Sequence, residues 1–111
     1  MGSTMNHEEY VILKRLELVN LARGMVSGEV HLIEGVRKLC SLRFEVEDPE
    51  NKVFLAVRGI ESETDHFPLG SKRSTCHAGY LEKMDTEMES YMAEVKKDIL
   101  QACQEIIQFF S

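Results

Sequence analysis

The 111 residues and 12.7 kDa of the chain fit one domain, since domains run to about 100 to 150 residues and divide only well beyond that. With 43% apolar and 29% charged residues, 7 Gly and 2 Pro, the composition is that of a globule rather than a disordered or collagenous chain. Thirteen Lys and Arg stand against 19 Asp and Glu, a net charge of -6, so a surface that neutralises nucleic-acid phosphates is not expected.

No run approaches the roughly 20 apolar residues of a bilayer span, and the N-terminus lacks the basic flank and apolar stretch of a signal peptide. A soluble, cytoplasmic chain without a membrane partner is expected. Cys40, Cys76 and Cys103 are an odd number without metal-type spacing, which suits a reducing compartment better than a disulfide framework. Residues 1–4, ahead of Met5, read as an expression leader, leaving residues 5–111 as a single helical domain.

In residues 7–26 two apolar stripes recur at helical spacing, Val11, Leu18, Ala22 and Met25 on one and Ile12, Leu16, Val19 and Val26 on the other. Two buried stripes predict a helix that touches two neighbours, ended by Gly28 in a left-handed cap. A second amphipathic helix is expected over residues 30–42, with Leu32, Ile33, Val36, Leu39 and Cys40 on its apolar side. Gly35 inside it costs about 1 kcal/mol relative to Ala, so either a close helix crossing compensates or the helix is locally weak.

Residues 44–47 alternate like a strand but have no partner, and read as a loop. Asp48 and Pro49 form a good helix start, predicting a short third helix to about Ile60 with Phe54, Leu55, Val57 and Ile60 as contacts. A buried strand over residues 53–57 is the rival for so short a run. The clearest element covers residues 78–110, where Leu81, Met84, Met88, Tyr91, Val95, Ile99, Ala102, Ile106 and Phe109 form a heptad seam. Such a helix is about 45 to 50 Å long, so part of it must project, bend or meet another molecule. The expected fold is all-α, a four-helix bundle with a long C-terminal helix and an irregular loop over residues 61–79.

That segment is where chemistry is sought, because long loops in small domains are usually functional or disordered. Residues 44–66 concentrate seven acids against two bases, which leaves the rest of the chain near neutrality. Four readings compete. Glu61, Glu63, Asp65 and His66 are suitable metal ligands, with Cys76 and His77 folded back, but their spacing matches no known metal loop. The same carboxylates with His66 could serve as acid and base if a pocket raised one pKa. They could form an electronegative docking surface for a basic protein, steering its approach. Or the segment is structural, with Ser62 or Thr64 capping a turn and residues 67–69 pinning it to the core. Cys40 and Cys103 lie on helical faces as buried thiols, and Cys76 beside His77 lacks the geometry that sequence adjacency cannot supply. No catalytic motif is present, and neither enzyme activity nor a cofactor is expected.

The stretches at residues 32–39 and 59–70, followed by a long helix ending in Cys103, Ile106 and Ile107, resemble a family of small bacterial proteins of unknown function. Its hallmark is a Ser-Glu-Thr-Asp-His-x-Pro-x-Gly segment, here residues 62–70, and the likeness spans about residues 10–110. A Trp that the resemblance implies shortly after the hallmark is replaced by Thr75, Cys76 and His77. By analogy with small acidic immunity proteins, the resemblance implies binding to a basic toxin domain through Glu61, Glu63, Asp65 and His66. The alternatives are a homodimer built on the long C-terminal helix and a small metal-dependent enzyme.

Overall fold

The computed structural model describes residues 6–111; the leader reading of residues 1–4 lies outside them. Among the described residues four α-helices form, α1 (His7–Ser27), α2 (Leu32–Glu45), α3 (Leu55–Thr64) and α4 (Ala78–Phe110). The starts of α1, α2 and α4 each have a side-chain acceptor for an orphan backbone N–H. Asn6 Oδ1 accepts from Glu9 N at 2.8 Å, and Asn6 Nδ2 donates back to Glu9 Oε1 at 3.2 Å. The imidazoles of His31 and His77 accept from Glu34 N and Gly79 N at the starts of α2 and α4. Gly28 ends α1 at φ 85, its N–H returning to Gly24 and Met25 carbonyls, as its placement in the sequence predicts.

The third helix departs most from expectation. Asn51, not Asp48, caps the turn at Lys52–Phe54 by accepting from Val53 N at 3.0 Å, and α3 then runs on to Thr64. Residues 53–57 are therefore helical, not a strand, and the expected loop at residues 61–79 is largely ordered helix and turn. Its first four residues finish α3, and Gly70–Thr75 forms a 3-10 helix before α4 begins at Ala78. Residues 44 and 45 likewise complete α2, with Val46 buried just beyond its end.

Contacts join α1 to α2, α2 to α3, α3 to α4 and α4 back to α1, so α1 and α3 sit at opposite corners. Every step is antiparallel. Tyr10 hydrogen-bonds Glu45 while Met25 meets Gly35; Arg37 reaches Thr64 while Arg43 reaches Pro49; Tyr91 reaches Glu63; Arg15 lies over Phe110 while Met25 lies 3.9 Å from Cys103. The result is an up-down-up-down bundle. One continuous core runs through it, with Leu18, Met25, Val36, Leu39, Phe54, Val57, Ile99, Cys103 and Ile106 among its most buried members.

Two apolar predictions need correction. In α1 only the stripe of Leu18, Ala22 and Met25 is buried, joined by Val19; Ile12, Leu16 and Val26 stay exposed because both neighbours, α2 and α4, pack on one side. In α4 the seam drifts at its end, so that Phe110 is buried and Phe109 exposed, as an ideal helix drifts against a strict seven-residue repeat.

Gly35 resolves the alternative its position posed. A Cβ there would stand 2.5 Å from Met25 Sδ, and Met25 is itself buried, so α1 and α2 cross closely at this point. Gly35→Ala is expected to destabilise the fold by about 1 to 3 kcal/mol through overpacking, despite the better helix propensity of Ala. Urea denaturation checks this; an unchanged or raised midpoint would contradict the close crossing.

The core thiols give a second expectation. Burial pushes Cys40 from 9.0 up to about 12 and Cys103 from 9.0 up to about 11. Between those limits the native state holds protons that the unfolded chain releases, so stability is full below pH 9 and falls as pH rises through the folded values. Denaturation midpoints measured from pH 8 upward should decline, and Cys103→Ala should make the decline shallower. A decline unaffected by that change would show that the thiol does not titrate with unfolding.

Candidate functional site

The four acidic-loop residues do not converge on one surface. Glu61 and Asp65, one turn apart, line a depression of about 510 Å³ with Arg37, Ser41, Ser62 and Lys72, where positive and negative charges are mixed. Glu63 lies on the other side of α3, where it accepts from Tyr91 Oη at 2.6 Å. Burial, together with this hydrogen bond, pushes the Tyr91 phenol up to about 12. His66 is exposed, with its ring 4.1 Å from that of buried Phe67. Among the described residues no group of three or more His, Cys, Asp or Glu is placed to hold a metal ion.

The wider acidic stretch is dispersed by local pairing. Glu45 accepts from Tyr10, Glu47 lies 2.6 Å from His7 Nε2, and Glu50 lies 3.3 Å from Arg58 and 3.9 Å from Arg43. Asp48 accepts from the Asn51 amide.

Residues 62–68 have a clear structural job at the end of α3. Thr64 is fully buried, and its Oγ1 donates to Ile60 O at 2.8 Å. Arg37, from α2, donates to the carbonyls of Thr64 at 2.7 Å and Phe67 at 3.1 Å, satisfying acceptors that the helix leaves open. Phe67 and Pro68 are buried, and Phe67 packs toward Tyr91 with ring centroids 6.5 Å apart. Arg73 then makes a bidentate bridge to Asp85, at 2.7 and 2.9 Å, which fastens the 3-10 helix to α4. The hydrogen bonds from Arg73 hold the Asp85 carboxyl below the usual carboxylate range. Phe67 and Arg73 thus fasten this stretch to the N-terminal half of α4.

A second open site lies between α3 and α4, a groove of about 480 Å³. Ala56, Gly59, Ile60, Val95 and Ala102 supply its apolar lining, with Val53 and Leu55 at the α3 start. Leu55 is 58% exposed, and a Cβ added at Gly59 would meet nothing within 4 Å, so the α3 wall is low and open. Glu63, Asp98 and Glu105 supply carboxylates along the groove, against one base, Lys52. Phe109, one helical turn beyond Glu105 and 58% exposed, extends the apolar surface past the groove end.

Of the candidate site residues Glu61, Glu63, Asp65 and His66, only Glu63 belongs to this groove. Asp98, Gln101 and Glu105 escape sequence reading because, viewed in one helix, they are merely the polar flank of the α4 seam. The available signal is the set of small residues Ala56, Gly59 and Ala102 on two helices that prove to be neighbours. Their small side chains leave the space that larger ones would close.

No helix among the described residues is long and apolar enough to cross a membrane. Neither the curated proteins nor the solved structures contain a match to the chain. A family model described as a protein of unknown function, DUF2489, matches residues 6–106, from the cap of α1 to Ile106 near the end of α4. The chain therefore belongs to the DUF2489 family.

Proposed function

We propose that this protein is a small acidic binding protein that acts by stoichiometric capture of a basic partner, as an immunity protein neutralises an antibacterial toxin. The observation that carries this reading is the groove between α3 and α4, apolar along its floor and edged by Glu63, Asp98 and Glu105. Such a groove suits an amphipathic segment that lays its apolar face on the floor and its cations against the carboxylates. The apolar contact supplies affinity, whereas the charges steer encounter and select against acidic chains. The reading keeps the basic partner expected from sequence and moves its seat from the whole set of Glu61, Glu63, Asp65 and His66 to the face of α3 that carries Glu63. The immunity role itself rests on the likeness in size and acidity to such proteins.

Gly59→Leu is the informative variant. It fills open space and improves helix propensity by roughly 0.5 to 1 kcal/mol, so lost binding would not be lost folding. Affinity capture from the native host is expected to retain a basic chain at one-to-one stoichiometry on wild-type bait and on Glu61→Lys/Asp65→Lys bait. Gly59→Leu and Asp98→Lys/Glu105→Lys baits should each weaken that affinity tenfold or more, on the order of 1.4 kcal/mol. Co-expression of wild type, but not Gly59→Leu, should suppress the toxicity of the captured chain. Equal retention by wild-type and Gly59→Leu baits would exclude the groove, and a captured chain without toxicity would exclude the immunity role.

A further inference from the structure

The outer face of α1 carries exposed apolar side chains that the bundle leaves unused. Ile12, Leu13 and Leu16 are 57%, 48% and 55% exposed, on the side of the helix away from buried Leu18, Ala22 and Met25. Single exposed apolar residues need no explanation, but three within two turns of one helix form a contiguous patch. The apolar seam of α4 is different, because its buried members already pack inside the bundle.

Helical periodicity sets Glu9, Ile12, Leu16, Asn20 and Arg23 in one stripe along this face, with Leu13 beside it. The stripe has opposite charges at equal distances from its centre. Seven residues before Leu16 stands Glu9, and seven residues after it stands Arg23. A two-fold interface requires a surface complementary to itself, with residue i meeting j and j meeting i. An antiparallel pairing of two such stripes about Leu16 meets that requirement. Both charges are available for it: Arg23 makes no ion pair among the described residues, and Glu9 receives the Asn6 amide on Oε1 alone.

We propose that α1 is a self-association surface, on which a second copy of this chain packs its own α1 in the antiparallel sense. Leu16 meets the partner's Leu16, Ile12 and Leu13 flank that contact, and Glu9 pairs with the partner's Arg23. Charge pattern chooses this occupant over an unrelated chain, because the acid and the base each find their complement in an identical stripe. One helix face of 21 residues, about 31 Å long, is a small interface, so a weak, concentration-dependent dimer is expected. Since α1 and α3 occupy opposite corners of the bundle, the dimer leaves the groove between α3 and α4 open.

Sedimentation equilibrium of the full chain at several concentrations tests the proposal. The wild type should approach twice 12.7 kDa at high micromolar concentration, and Leu16→Glu should remain at 12.7 kDa with unchanged helical circular dichroism. Glu9→Arg and Arg23→Glu should each weaken dimerisation at least tenfold, and the double exchange Glu9→Arg/Arg23→Glu should return it to within about threefold of wild type. A wild type that stays monomeric at 1 mM, or a dimer that Leu16→Glu leaves intact, would overturn the surface. A double exchange no stronger than the single changes would overturn the antiparallel register.

Discussion

The structure turns on a mismatch of lengths. The 33 residues of α4 make a rod of about 50 Å, while α1, α2 and α3 have only 21, 14 and 10 residues with which to cover it. The molecule therefore measures 52 × 34 × 24 Å, and its radius of gyration of 15.7 Å exceeds the roughly 13 Å of a compact chain of this size. Helix α1 covers the C-terminal half of α4, where Ile99, Cys103 and Ile106 are buried, and α3 covers its middle. Of the first turns of α4 only Met84 is buried, and residues 65–77 are fastened beside them by Arg73 on Asp85 and by Phe67 against Tyr91. The segment that looks functional in sequence is thus first a strap that accommodates an overlong helix.

The same mismatch produces the groove. A ten-residue helix with Ala56 and Gly59 toward its neighbour cannot seal against α4, and the carboxylates of α4 beside the gap face it without cations from α3 to neutralise them. Two glycines in the bundle act in opposite ways. Gly35 admits Met25 and draws two helices together, while Gly59 faces open space and keeps a surface accessible. Identical residues at helix interiors therefore serve packing in one place and access in another.

The all-α class, four helices and the span of α4 were legible because hydrophobic periodicity reports helices directly, and the Gly28 cap was legible because its backbone demand is local. The end of α3 was not. Glu61, Ser62, Glu63 and Thr64 are polar and carry no apolar period, yet Arg37 on α2 secures the helix terminus by capping its carbonyls from another element. The exposed stripe of Ile12 and Leu16 misled for a related reason: periodicity marks an apolar face but does not say whether its partner lies within the chain. At the site, charge density along the sequence overstated charge density in space. Glu45, Glu47 and Glu50 are absorbed by Tyr10, His7 and Arg58, while Asp98 and Glu105, distant in sequence, join Glu63 along one groove.

Whether the groove between α3 and α4 receives a basic amphipathic segment can be read by amide chemical-shift mapping. The probe is a synthetic helix with Leu on one face and Lys and Arg on the other, titrated into isotope-labelled protein. Saturable shifts concentrated at Ala56, Gly59, Val95, Gln101 and Glu105, weakening as salt is raised, are expected. Shifts centred on Glu61, Asp65 and Lys72, shifts centred on α1, or no saturation at millimolar peptide would contradict binding in the groove.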